Sequence, residues 1–266
     1  MGSNFHTHSV FCDGKDAPEA LCERALELGF EALGFSGHSP LSFDPCGMRD
    51  PLAYRAEISR LKEVYRGRLD IFCGIEQDYF SGYRAPGWDY AIGSVHYVNH
   101  KGQYLPVDWS AEETERIVRQ DYEGDAMAFC EDYYALVGRV AEVTGCDIIG
   151  HLDLIRKFDE AGTMFPEGAP RYRAAVLSAL DRLRAGERVF EINTGAMARG
   201  YRTTPYPSDW ILRELHDRGA RIMLGSDCHD RRFLDGGFDA ARAAALRAGF
   251  RTAVIWSRDG FAERPL

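Results

Sequence analysis

Short apolar runs alternate with helical patterns along the whole chain, and this alternation constrains the fold more than any other feature. The runs are Asn4–His8, Ala32–Gly37, Asp70–Glu76, Tyr90–Tyr97, Asp147–His151, Arg188–Asn193, Arg221–Ser226 and Thr252–Trp256. Most are short and bounded by Gly or polar residues, as strands buried in a parallel sheet are. Helical periodicity fills the gaps. Pro18–Leu28 places Leu21, Ala25 and Leu28 on one face and stops at Gly29. Asp50-Pro51 opens a helix to about Tyr65, an N-cap followed by Pro. Residues 111–143 read as a long helical region broken at Gly124, with Ser110 and Glu113 as a capping box. Pro170–Arg184, Ser208–Asp217 and Asp239–Arg247 complete the set; Gly219 and Gly249 follow the last two as stops. Residues 156–168 and 197–207 read as loops. No repeat of fixed period is visible. The pattern predicts one α/β domain over residues 1–266, built on a parallel barrel.

The totals narrow the partners. A net charge of −9 argues against a nucleic-acid surface, which carries a basic stripe. It leaves room for a small anionic substrate, because bound metals supply positive charge locally. No apolar run reaches the roughly 18 residues of a membrane span. The seven cysteines are odd in number and contain no C-x-x-C pair, which fits a reduced, intracellular protein. The N-terminus carries neither the basic nor the apolar region of a signal peptide. The expectation is a cytoplasmic protein acting on a small molecule, with no nucleic-acid or membrane partner; its oligomeric state stays open.

In a parallel barrel the chemistry collects at the C-terminal ends of the strands. His6 and His8 lie two residues apart in the first run, so strand alternation projects them from one face. Asp13 follows in the next loop. His38, Glu76, His96 and His151 end the second to fifth runs, and Asp227 and His229 end the seventh. Taken singly, each His reads more simply as a satisfied core or surface residue; as a set on one rim they read as ligands. Six imidazoles and three carboxylates suffice for two or three divalent metals. Donors without thiolate favour Zn²⁺, Fe or Mn²⁺. Cys12 and Cys228 flank ligands but read as small packing residues.

With these residues placed, the chain resembles the polymerase and histidinol phosphatase (PHP) family, in its histidinol-phosphatase branch. The matching motifs are Phe5-His6-Thr7-His8 with Asp13-Gly14, Gly34-Phe35-Ser36-Gly37-His38-Ser39-Pro40, Gly74-Ile75-Glu76, Gly93-Ser94-Val95-His96, Gly150-His151-Leu152-Asp153, Glu191-Ile192-Asn193-Thr194 and Gly225-Ser226-Asp227-Cys228-His229. The resemblance implies a distorted (β/α)7 barrel with a trinuclear metal centre. It implies as ligands His6, His8, Asp13, His38, Glu76, His96, His151, Asp227 and His229. It also places Arg156 and Arg199 where the branch carries phosphate-binding arginines, with Arg202 close enough to Arg199 to leave that second position open.

The implied reaction is hydrolysis of L-histidinol phosphate to L-histidinol and phosphate, in histidine biosynthesis, by attack of a metal-bridging hydroxide. Arg156 and Arg199 would meet the phosphoryl oxygens. Asp153, Asp227 and His229 all qualify as the acid for the leaving group. Phe43, Asp44, Tyr104 and Trp109 are acidic and aromatic groups for the cationic end of such a substrate. The alternatives are a PHP-type phosphoesterase acting on nucleotides or other small phosphate esters, and a metal-binding module without activity. An amidohydrolase-like enzyme shares the His-x-His opening, but no Lys ends a strand here.

Overall fold

The computed structural model describes residues 2–266. Strand β1 (Gly2–Asn4) pairs in parallel with β2 (Phe30–Phe35), and β2 with β3 (Asp70–Cys73). The chain kinks at Gly74 and continues as β4 (Ile75–Asp78), which pairs with β5 (Ala91–Ser94). An antiparallel hairpin, β6 (Tyr97–His100) and β7 (Gln103–Pro106), rises from the end of β5. The parallel sheet then runs through β8 (Ile148–Ile149), β9 (Val189–Asn193) and β10 (Arg221–Gly225). Single parallel bridges join Thr7 to Cys228 and His38 to Glu76. With β3 and β4 counted as one interrupted stave, these bridges close seven parallel staves into a distorted barrel.

Helices pack outside: α1 (Pro18–Glu27), α2 (Pro51–Val64), α3 (Ala111–Gln120), α4 (Ala126–Val137), α5 (Val140–Thr144), α6 (Pro170–Leu183), α7 (Gly195–Ala198), α8 (Asp209–Asp217) and α9 (Phe238–Ala248). Their starts follow local chemistry. Asp50 accepts from the Leu52 and Ala53 amides at 3.1 and 2.9 Å and begins α2. Ser110 accepts from the Glu113 amide at 3.1 Å. The Glu113 carboxylate, however, pairs with Arg116, so it is engaged along the helix.

Three sequence expectations are corrected. The long helical region is three helices: Gly124, at φ +87°, ends the first interval as expected. A second break falls at Gly138, where α6 passes so close that a Cβ would lie 3.2 Å from Ala179 Cα. The first strand ends at Asn4, before the histidines, because the Asn4 side chain takes the His6 amide (3.1 Å) and ties to Ser226 and the Leu234 carbonyl. The last run does not join the barrel as a parallel strand. It forms an antiparallel hairpin, β11 (Thr252–Ser257) with β12 (Gly260–Pro265). The hairpin's Val254, Ile255, Trp256 and Phe261 pack on Phe5, Phe72, Tyr90 and Met223 and so continue the barrel's inner core.

Tyr90 fixes the kink. It is fully buried, and its hydroxyl donates to the Phe5 carbonyl at 2.5 Å. Its ring fills the space beside Gly74, where a Cβ would stand 2.4 Å from Cζ. Gly74→Ala must therefore displace a ring packed on all sides, and overpacking of this kind costs about 1–3 kcal/mol. The expected result is a lower urea midpoint with an unchanged slope. Among the described residues no helix is long and apolar enough to cross a membrane, and all seven cysteines are unpaired.

Candidate metal centre

The staves bring His6, His8, Asp13, His38, Glu76, His96, His151, Asp227 and His229 to one rim. Glu76 is the hub, on β4 and 1% exposed. Its Oε1 accepts from Ser94 Oγ at 2.6 Å and faces His151 Nε2 at 2.9 Å and His96 Nε2 at 3.4 Å. Its Oε2 faces His38 Nδ1 at 2.8 Å, His6 Nε2 at 3.3 Å and His8 Nε2 at 3.5 Å. Asp227 Oδ1 approaches the same His8 and His6 nitrogens at 3.2 and 3.6 Å. On the outer side Asp13 meets His229, His38 and His8 at 3.2, 3.5 and 3.8 Å.

Backbone geometry sets these directions. Beyond β1 the chain stays extended enough for Thr7 to bridge Cys228, so His6 and His8 point to the same side. Cys228 points away from them into the protein, with Sγ on the Asp230 carbonyl. Asp227 adopts a left-handed φ of +47°, a costly conformation for a non-glycine residue and one that clusters at functional sites. Gly195 leaves room for it: a Cβ there would lie 2.7 Å from Asp227 Oδ2.

The donors fit divalent metals. His6 Nε2, His8 Nε2 and Glu76 Oε2 are buried without a hydrogen-bond partner, a condition proteins rarely leave uncompensated. Their mutual distances match the edge of a metal polyhedron, about 3.4 Å for ligands near 2.1 Å from a tetrahedral ion. His6, His8 and Asp227 offer donor atoms within 4.8 Å of one another. So do His8, Asp13, His38 and His229, and also His38, Glu76 and His96. Oxygen and imidazole donors suit Zn, Mn or Fe.

Charge balances inside the cluster. Burial works against ionised Glu76, but His38, His6 and His96 hold it well below the usual carboxylate range. Burial likewise opposes the charge on Asp227, and Arg199, His6 and His229 overcome it. Burial disfavours protonated His96, yet Glu76 and Asp78 raise it to about 10. His8 moves the other way, to about 3, through burial and the neighbouring His229 and His38.

A cavity of about 300 Å³ opens over this cluster. Asp13, His38, His96, His151, Asp227 and His229 face it, with Arg199, Lys157, Asp108 and Trp109. A larger hollow, about 510 Å³, lies at the N-terminal ends of β3 and β5, among paired surface charges such as Lys62 with Asp89 and Arg258 with Asp70. It contains no histidine, so its size carries no weight for the chemistry.

The arginines divide. Arg199 lines the cavity, with Nη2 on Asp227 Oδ2 at 3.1 Å and Nη1 3.0 Å from His229 Nδ1. Arg202 does not; it is buried and donates to the Arg156 carbonyl at 2.8 Å. Arg156, expected at the phosphate, is corrected: it pairs with Glu167 and lies over the Tyr172 ring at 5.9 Å, away from the cavity. The 3-10 turn Leu154–Arg156 fans successive side chains about 120° apart. Lys157 thereby takes the cavity-facing place, its Nζ 2.9 Å from Asp108 Oδ2. Asp153 is also turned inward, accepting from the Ser208 amide, and does not line the cavity.

Sequence reasoning left Glu191, Asp78, Lys157 and Asp108 without roles. Glu191 Oε1 holds His6 Nδ1 at 2.6 Å, and Asp78 Oδ2 holds His96 Nδ1 at 3.0 Å. Both leave the opposite ring nitrogen aimed at Glu76. Asp78 was findable, two residues after Glu76 on one strand face.

The PHP domain family matches residues 4–195. The chain belongs to the PHP family. A Bacillus subtilis PHP relative named "Histidinol-phosphatase" is 29% identical over 251 residues, 84% of this chain and 92% of its own. A Deinococcus radiodurans protein named "Probable histidinol-phosphatase" is 34% identical over 238 residues, 84% of this chain and 85% of its own. The PHP barrel also superposes on a solved histidinol phosphate phosphatase from Lactococcus lactis, described as complexed with Zn, L-histidinol and phosphate. The TM-score is 0.73 at 20% identity, over 98% of both chains. That likeness speaks for the fold.

Proposed function

We propose that this chain is a metal-dependent phosphomonoesterase that hydrolyses L-histidinol phosphate to L-histidinol and phosphate. The observation that carries the reading is the shell of nine imidazole and carboxylate donors that opens directly into a cavity bearing Arg199. The names of the curated relatives direct the choice of substrate.

His6, His8, Asp13, His38, Glu76, His96, His151, Asp227 and His229 would hold two or three divalent metals, Zn, Mn or Fe. Bound there, such ions supply Lewis acidity toward phosphoryl oxygens and lower the pKa of water. The chain does the remaining work. Glu191 and Asp78 lock the ring orientations of His6 and His96, so the donor atoms are aimed before any ion arrives. Arg199, braced between Asp227 and His229, presents its guanidinium where phosphoryl charge grows in the transition state. Lys157, 10% exposed at its side chain, adds a second cation on the same wall. Asp227 and His229 stand at the cavity floor and handle the leaving-group proton in this reading. Asp44 and Asp108, which also line the cavity, supply negative charge for the substrate's amine. Seven free thiols fit a reducing cytoplasm.

A substrate panel tests the reading. With metal-reconstituted protein, kcat/KM for L-histidinol phosphate should exceed that for nucleoside monophosphates and p-nitrophenyl phosphate by about 10² or more, the discrimination buried polar contacts provide. A nucleotide hydrolysed as well as L-histidinol phosphate would replace the assigned substrate.

A further inference from the structure

Lys157 and Arg199 enter the cavity from two different loops, one after β8 and one after α7. Each is tethered at its tip, Lys157 to Asp108 and Arg199 to Asp227. A second set of contacts joins the loops at their bases. Arg202, 5% exposed, donates to the Arg156 carbonyl at 2.8 Å, the peptide from which Lys157 departs. The same guanidinium reaches Thr204 Oγ1 at 3.1 Å and the Thr204 carbonyl at 3.3 Å, and it lies over the Tyr206 ring at 4.9 Å. From the opposite loop the Glu160 carboxylate accepts from the Thr203 and Thr204 amides at 2.9 Å each, from Thr203 Oγ1 at 3.1 Å and from Thr204 Oγ1 at 2.6 Å. Between Arg199 and these anchors the chain turns at Gly200 (φ +76°), where a Cβ would meet nothing within 4 Å, and half-exposed Tyr201 lies against the Phe158 ring at 5.1 Å and under Lys157 Nζ at 5.4 Å. Arg199 itself caps α7, with its amide on the Gly195 carbonyl at 3.2 Å, and the Gly200 and Tyr201 amides return to Met197 and Ala196; residues 202–205, which lead to the clasp, carry no helix or strand of their own.

We propose that Glu160 and Arg202 are positioning residues that clasp the two loops so that Lys157 and Arg199 face a bound phosphoryl group at a fixed separation. Neither touches the substrate; each acts through the two cations. The inference rests on the proposed phosphatase reading for its catalytic consequence, but its binding consequence is independent of turnover. Two anion-binding groups on separate loops bind one anion well only if their spacing is set beforehand, and a displacement near 1 Å costs up to about 10² in rate or affinity.

The experiment uses metal-loaded protein and inorganic phosphate as the probe. Glu160→Ala, Arg202→Ala and Arg202→Lys are compared with the unaltered chain by calorimetry, hydrogen exchange, metal content and steady-state kinetics. For Glu160→Ala and Arg202→Ala the expected result is phosphate binding weakened about tenfold and kcat/KM lowered by at least the same factor, with metal content little changed. The Thr203 and Thr204 amides should exchange faster in Glu160→Ala. Arg202→Lys, which keeps a donor for the Arg156 carbonyl, should recover most of the loss. If Arg202→Ala does not fold, Glu160→Ala at the loop surface decides alone. Faster exchange with unaltered phosphate affinity would overturn the clasp, as would a loss that tracks metal content. An unaltered chain that binds phosphate but does not hydrolyse L-histidinol phosphate would sink the proposed reaction and leave the clasp standing.

Discussion

Glu76→Gln is expected to lower kcat/KM for L-histidinol phosphate by about 10³ or more and to remove bound metal. The magnitude follows from losing a charged group at the centre of an electrostatically organised site, where a single donor is already worth 10²–10³. Glu76 faces five imidazoles, and among the described residues no other carboxylate reaches His96 and His151 together with His6 and His38. The amide keeps the volume but replaces one acceptor oxygen with a donor NH₂, aimed at groups that themselves donate or bind cations. Metal analysis and activity should fall together.

The same substitution has a pH signature in the metal-free protein. Glu76 helps raise His96 above its ordinary 6.5, so that contribution is full below 6.5 and disappears as pH climbs toward about 10. Glu76 itself is held below its ordinary 4.5, so its contribution is full above 4.5 and is lost as pH falls. The destabilisation caused by Glu76→Gln should therefore be greatest between pH 4.5 and 6.5 and shrink on either side. Urea denaturation across pH reads this directly; a uniform loss at all pH values would point to packing instead.

Arg199→Ala and Arg156→Ala separate by what they damage. Arg199→Ala should lower kcat/KM about 10- to 10²-fold, since a hydrogen bond to a charged group is worth about 1.5–3 kcal/mol. Metal should remain bound, because Arg199 braces Asp227 but is not among the donors. Arg156→Ala should leave KM near its original value and instead lower stability by about 1–2 kcal/mol, because Arg156 is buried but its partner Glu167, about a third exposed, can rehydrate when left alone. Its partner Glu167 would lose a cation, and Tyr172 the guanidinium above its ring. A raised KM for Arg156→Ala with unaltered stability would return that residue to the phosphate.

The fold was legible where local chemistry and burial agree. Parallel staves read as apolar runs, and the helices begin at Asp50-Pro51 and Ser110 because those side chains answer amides that the helix leaves unpaired. The metal-capable rim was legible because strand ends must supply it. What stayed hidden depends on neighbours distant in the chain. The C-terminal hairpin looks like another stave until its apolar face is seen packed on Tyr90 and Phe72. Arg156 and Lys157 are adjacent in sequence, and only the 3-10 turn decides which one enters the cavity. Glu191 stood in a recognised motif, yet its role needs His6, which is 185 residues away.

The central claim is that phosphoryl transfer here depends on several metals held around Glu76. Back-titration of metal-free protein with Zn²⁺, Mn²⁺ or Fe²⁺ tests it, with bound metal and phosphate release from L-histidinol phosphate measured in the same samples. The expected result is no release from the metal-free protein and activity that rises only as more than one ion binds per chain. Full activity in a preparation free of metal would contradict the account.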